Sequence, residues 1–286
     1  MGKLRKLVRK APRCPTPDNI HDLRTYTRRF EAAAGALKLD SRRNDRRLLR
    51  DLSRARKRAG KIRDMDVLTS YTASVHADQQ QGCLVQLLEY LGARRYRQAE
   101  RLQAEMKKRG SVLRRRLKRA SARIDKIIAD TSKDSAAAQD GASADAMASA
   151  VKLSEELTVP ATLNKSNLHP YRLKVKELRY VLQMSDSPDT HAFIESLGEV
   201  KDAIGEWHDW EELIAIAADL DEHGPNCKLV QELKNVSERK YQRALSLTNQ
   251  MRRDYLHSSK DSRRRTSVRK LRPGPPLLHA VSAIAS

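Results

Sequence analysis

The sequence predicts an all-α protein. Three observations carry this. Apolar residues recur at helical spacing over almost the whole chain, and alternating runs of Val, Ile, Thr and Tyr are nearly absent. Leu, Ala, Arg, Lys and Glu, which lose least on entering a helix, dominate the composition. The spacing predicts helices over roughly 18–38, 42–77, 81–130, 151–157, 167–185, 190–220 and 226–258, with a break in the third near Gly110. Residues 131–150, rich in Ala, Ser and Asp and without an apolar stripe, read as a linker. The tail 258–286, densely charged and then Pro-Gly-Pro-Pro, reads as a basic disordered arm. The resulting division is a first helical half over 1–130, the linker, a second half over 151–257, and the tail.

Composition excludes several classes. The 286 residues hold 57 Lys+Arg against 36 Asp+Glu, a net charge of +21. No run of about 18 apolar residues is present to span a membrane. Met1–Cys14 is basic but lacks the apolar stretch of a secretion signal. The three cysteines, Cys14, Cys83 and Cys227, are too far apart for a CxxC metal or redox motif, so a cytoplasmic setting is expected. With 11 glycines and 12 aromatic residues, neither a Gly-rich phosphate loop nor a base-stacking platform is expected.

The charge is uneven. Residues 1–66 hold 21 basic and 8 acidic residues, and residues 94–126 hold 14 and 3. Residues 186–240 are acidic, with 5 basic and 14 acidic. At 100° per residue, Arg46, Arg50, Arg54, Lys57 and Lys61 share an arc of about 80° on helix 42–77, opposite Leu49, Leu52, Ala55, Ala59 and Ile62. On 94–126, Arg94, Arg97, Arg101, Lys108, Arg115, Arg119 and Lys126 share a similar arc. Val112 and Glu105 interrupt it, and Leu102, Met106, Leu113, Leu117 and Ile124 form the apolar face. A solvated helix face normally interleaves acids with cations, because like charges one turn apart repel. These stripes are nearly pure cation, which points to a long anion lying along them. Helix-turn-helix, zinc-finger and bZIP patterns are absent, and Phe30, Tyr26, Tyr96, Tyr180, Trp207 and Trp210 are scattered and read as core or core edge. A phosphate polymer without bases fits better than nucleic acid.

The chain also repeats itself. His21, Arg24 and Arg28, on one helical face, align with His169, Arg172 and Lys176 at an offset of 148. Leu52, Arg56, Gly60, Asp64 and Leu68 align with Leu197, Lys201, Gly205, Asp209 and Leu213 at 145. Two collinear blocks of nearly equal offset indicate internal duplication.

These blocks, HDLRTYTRRFE with RDMDVL, then LHPYRLKVKELRYVLQ with LGEVKDAIGEWHDWEEL, resemble the CHAD family, the conserved histidine α-helical domain, over roughly residues 18–255. The resemblance implies two tandem antiparallel four-helix bundles related by duplication. It implies binding of inorganic polyphosphate through basic residues on the bundle surfaces or between them, often on polyphosphate granules. Carried onto this chain, the matching positions are His21, Arg24, Arg28, Arg29, Arg63, His169, Arg172, Lys176, Arg179 and Lys201. The stripes add Arg46, Arg50, Arg54, Lys57, Arg97 and Arg101 as candidate polyphosphate-binding residues. The family's second repeat often has a Lys-Lys pair where this chain has Lys176-Glu177, and the acidic 186–240 region argues that the second half supplies fewer ligands.

Neither catalysis nor a cofactor is expected. Metal ligation would need three or four converging donors, and neither His208-Asp209 nor any other spacing supplies an HExxH-like pair. His21 and His169 instead start helices, where an imidazole could pair with Asp64 or Asp209 and hold the arginines; direct phosphate contact is the other role. The two alternatives to a non-catalytic polyphosphate binder are a basic protein associated non-specifically with nucleic acid and, further off, a metal-dependent phosphohydrolase.

Overall fold

In this computed structural model, residues 2–36, 39, 42–75, 81–131, 139–185, 190–220 and 227–256 are described. The tail expected to be a disordered arm lies outside them. The described residues hold eight α-helices and no strand: α1 (Gly2–Lys10), α2 (Pro17–Ala36), α3 (Arg43–Ala73), α4 (Gln81–Thr131), α5 (Gln139–Thr158), α6 (Leu168–Ser185), α7 (His191–Ala218) and α8 (Lys228–Met251), the last running into a π-helical turn, Arg252–Leu256. The chain is all-α. It divides into two compact units, one holding α1–α4 and the other α5–α8.

In the first unit each helix packs on its sequence neighbour, and α1 also packs on α4. The pairs Arg24–Asp64 and Arg56–Glu31 run α2 antiparallel to α3, and Asp66–Arg95 with Asp51–Arg116 do the same for α3 and α4. Leu23, Leu52, Ile62, Leu102, Leu113 and Leu117 are buried at its centre. A fully buried Leu or Ile contributes about 2 kcal/mol. The apolar face expected on α4, from Leu102 to Ile124, is buried throughout, and no break occurs at Gly110. Gly110 is itself buried, and a Cβ there would stand 3.3 Å from an Arg114 terminal nitrogen, tighter than ordinary contact, and 3.7 Å from Met106 Cε.

Helix α1 was missed in the sequence. Five of its nine residues are cations, which hid the i, i+3, i+4 pattern of Leu4, Leu7 and Val8, all buried in the same core. The assignment of 131–150 to a linker is also corrected, because residues 139–150 are the first part of α5. Alanine propensity sustains that stretch without an apolar stripe in the sequence, and Ala150, Leu153 and Leu157 of the same helix are buried in the core.

In the second unit α5 packs on α6, α6 on α7 and α7 on α8, and the π-turn after α8 returns to α5, where Arg252 donates to the Thr158 carbonyl at 3.0 Å. Tyr171, Val175, Leu178 and Leu182, the apolar face expected for α6, are buried against Leu197, Ile204 and Trp207. Of the aromatics expected in the core or at its edge, Tyr96 and Tyr180 stand exposed.

The seam between α3 and α4 is ionic as well as apolar. Asp45, Asp51 and Asp66 point inward from α3, with side chains 5, 13 and 7 % exposed. Each meets an arginine of α4: Asp45 meets Arg123, Asp51 meets Arg116 at 2.6 Å, and Asp66 meets Arg95 at 2.6 Å. Arg95 also donates to the Pro15 carbonyl at 2.6 Å, tying α4 to the turn before α2. A buried carboxylate without its partner is expensive, so the ladder is strict about register. Asp45→Ala leaves Arg123 uncompensated and is expected to cost about 2 kcal/mol, whereas the double change Asp45→Leu with Arg123→Leu should recover most of the loss. Thermal or urea denaturation of the three proteins measures this.

Candidate functional site

The cations that could hold a ligand fall into two groups, those fixed by the protein and those left in solvent. The fixed ones belong to the two repeated blocks. Thr16 caps α2, its hydroxyl accepting from the Asn19 amide at 3.3 Å, and Pro17 opens the helix. This start places His21, Arg24 and Arg28 on successive turns. Arg24 is half-buried, and its Nη1 donates to the Gly60 carbonyl at 3.3 Å and lies 3.5 Å from Asp64. Burial lowers the Arg24 pKa against the pull of Asp64, and burial raises that of Asp64 against the pull of Arg24.

The second block is held in the same way. Asn164 Oδ1 accepts from the amides of Ser166 and Asn167 at 2.9 and 3.2 Å, forming the turn from which α6 begins. Arg172 Nε donates to the Lys201 carbonyl at 3.0 Å, and Arg179 Nε donates to that of Ile194 at 3.3 Å. Both carbonyls lie one turn before a glycine, Gly205 and Gly198. A Cβ on Gly205 would stand 2.6 Å from an Arg172 terminal nitrogen, and one on Gly198 would stand 3.4 Å from Arg179 Nε. A glycine inside a helix costs stability relative to alanine. Here it opens the helix backbone so that a guanidinium can lie across it. Gly60 and Gly205 were visible in the repeat alignment, but their role as seats for Arg24 and Arg172 was not.

The expected His–Asp links are not formed. Thr25, one turn on, is the hydrogen-bond partner of His21 Nε2 at 3.4 Å, and Asp64 is paired with Arg24. His169 lies against His208, ring centroids 4.5 Å apart, and its Nδ1 is buried without a partner. The anchored arginines do not depend on these histidines, because backbone carbonyls hold them. Burial, then His208 and Arg172, lower the His169 pKa from 6.5. The unfolded chain therefore binds the proton more tightly, and this histidine's share of stability is present above about pH 6.5 and lost as the pH falls.

The free cations lie mainly on α3 and α4. Arg46, Arg50, Arg54 and Lys57 on α3, and Arg97 and Arg101 on α4, are exposed, as are Arg28 and Arg29 on α2. Among the described residues no carboxylate within 4.0 Å pairs with Arg28, Arg46, Arg50, Lys57, Arg97 or Arg101. Arg54 lies at 3.9 Å from Asp51. Arg63 is half-buried beside Arg24 and Asp64. Arg29 and Lys3 both stand over the Tyr26 ring, at 5.4 and 4.6 Å, and Lys3, from α1, is paired with Asp22 at 3.2 Å. In the second unit Lys201 is paired with Asp202 at 2.7 Å, and Lys176 lies 5.8 Å from the centre of the Tyr180 ring.

The asymmetry is large. Residues 1–131 hold 35 basic and 14 acidic residues, a balance of +21, whereas residues 139–256 hold 14 and 20, a balance of −6. Among the described residues no group of three or more His, Cys, Asp or Glu could hold a metal ion, and no helix is long and apolar enough to cross a membrane. Fold and site together define an all-helical chain whose first unit carries dense, outward cation faces and whose second unit repeats the anchored arginines.

A family model, the CHAD domain, matches residues 2–218. That is most of the chain, from α1 through α7, and the protein belongs to the CHAD domain family. No curated protein and no solved structure matches it.

The glycine seats give a paired test. At Gly60 a Cβ would meet Arg24 at 3.9 Å, an ordinary contact. Gly60→Ala should therefore raise stability by up to about 1 kcal/mol through helix propensity. Gly205→Ala gains the same propensity but displaces Arg172 from the Lys201 carbonyl. Its melting temperature should stay level or fall, and comparison of the two melting curves decides.

Proposed function

We propose that the chain binds inorganic polyphosphate along the cation faces of α2, α3 and α4 and does no chemistry on it. The observation that carries this reading is the density of exposed, unpaired cations on α3 and α4, in a unit whose inward carboxylates are already committed to Arg95, Arg116 and Arg123. Such a surface repels itself and is relieved by a long anion. Arginine adds two parallel donors that match phosphate oxygens, and Arg24, held at Gly60, meets the polymer without losing much rotamer freedom. Family membership supports the choice of polyphosphate, since the resemblance implies that ligand and a place on polyphosphate granules.

Within this reading His21, Arg24, Arg28, Arg29, Arg46, Arg50, Arg54, Lys57, Arg63, Arg97 and Arg101 form the main surface. His169, Arg172, Lys176, Arg179 and Lys201 form a weaker counterpart in the acidic second unit. We further infer that the units derive from one duplicated ancestor. Arg24 over Gly60 and Arg172 over Gly205, at aligned positions and across equivalent helix pairs, support this.

Two outcomes are expected. The logarithm of affinity for long-chain polyphosphate should fall steeply and linearly with the logarithm of salt concentration, and a flat dependence contradicts counterion release. Arg24→Ala with Arg28→Ala should weaken binding about tenfold or more, since a hydrogen bond to a charged group is worth about 1.5–3 kcal/mol. Arg264→Ala with Arg265→Ala removes the same charge from the tail and should cost only a few-fold. Circular dichroism checks that both variants are folded, and equal losses in the two doubles would reduce the site to diffuse charge.

A further inference from the structure

On the α4 side of the α3 cation stripe lies a groove of about 480 Å³, lined by Arg54, Lys57, Arg58 and Lys61 from α3 and by Glu105 and Arg109 from α4. It is distinct from the α2 side, where Arg24 sits on Gly60. Five of the six lining residues are cations, and the sequence reading named only Arg54 and Lys57 among the ligands.

The groove is organised from beneath by one carboxylate. Asp51, with only 13 % of its side chain exposed, lies 2.6 Å from Arg116, 3.5 Å from Arg109 and 3.9 Å from Arg54. Glu105 holds the same Arg109 from one turn earlier, at 3.1 Å. Asp51 is thus the hub of three guanidinium groups, two of which line the groove. Lys57 and Lys61 are exposed beside them, with no carboxylate within 4.0 Å among the described residues. This arrangement is more than a solvated face: Arg109 is held by both Asp51 and Glu105, Arg54 lies at ion-pair distance from the same Asp51, and two unpaired lysines stand beside them along an open groove.

We propose that this groove is a discrete oligophosphate site, taking a run of about three consecutive phosphates. The charge balance sets the class. The lining carries five positive charges and one negative, a net of four. A linear triphosphate carries about four to five negative charges at neutral pH, since its terminal groups hold about 1.5–2 each. A single phosphate would leave most of the lining unmatched. The same run of phosphates is offered by free tripolyphosphate and by a stretch of the long polymer. The inference rests on the proposed polyphosphate reading and locates a subsite within it.

The test uses the full chain and isothermal titration with two probes, tripolyphosphate and long-chain polyphosphate. The variants are Lys57→Ala with Lys61→Ala and, as an equal-charge control on the opposite side of α4, Lys107→Ala with Lys118→Ala, two exposed residues outside the groove. The groove double should weaken tripolyphosphate binding at least about tenfold, as for the loss of two charge-assisted contacts, and the control should change it less than about threefold. If tripolyphosphate does not bind but the long polymer shows that same contrast, the site takes a stretch of polymer and the proposal stands for that source. The proposal is overturned if neither ligand distinguishes the groove double from the control. If wild-type protein binds neither ligand, the polyphosphate reading itself fails, which is a separate result.

Discussion

Self-repulsion is the constraint on which the rest of this structure depends. Four helices carry most of the chain's basic residues, and they must still close around an apolar core. The arrangement that permits this places carboxylates inward and cations outward. Asp45, Asp51 and Asp66 point inward from α3, and each meets an arginine of α4. That ladder neutralises the cations nearest the seam and fixes the register of the two longest helices. The remaining cations are pushed to the outer arcs, where water and an anionic ligand can screen them. The outward stripe is therefore a consequence of how the seam is built, and it is the feature on which the proposed polyanion binding rests.

A second device separates a charged surface from an organised one. Arg24, Arg172 and Arg179 reach across to the neighbouring helix and donate to its backbone carbonyls, close to Gly60, Gly205 and Gly198. An arginine held by one of its five donors still presents the others, already oriented. The cations of α3 and α4 supply long-range attraction, and the anchored arginines supply fixed positions. The second unit keeps the anchors while carrying an excess of acids, so the two contributions are divided unequally between the units.

Much of this was legible in the sequence, for reasons that can be named. The buried faces of α4 and α6 follow from residues at three- and four-residue spacing, and the structure buries Leu102 to Ile124 and Tyr171 to Leu182 as that spacing requires. The cation stripes follow from the same geometry. Helix α1 was hidden because charge outnumbered its three apolar anchors, and the start of α5 because alanine carries a helix without a stripe. The His–Asp links failed because residue spacing gives direction along one helix but not the partner chosen across two. Asp64 could face either His21 or Arg24, and the half-buried guanidinium has more need of a carboxylate. The Asp51 hub was illegible for the same reason, since its three arginines come from positions 54, 109 and 116.

The central claim is that this cation surface is built for a phosphate polymer without bases. The most direct measurement is a competition in which labelled duplex DNA is bound to the 286-residue chain at moderate salt and displaced by long-chain polyphosphate, with both polymers counted by phosphate. Non-specific DNA binding draws only on counterion release, whereas a dense, flexible phosphate chain can also follow the stripes and reach the anchored arginines. The account predicts displacement at a phosphate concentration far below that of the DNA. Displacement only at equal or higher phosphate concentration would contradict it and make this a general polyanion-binding surface.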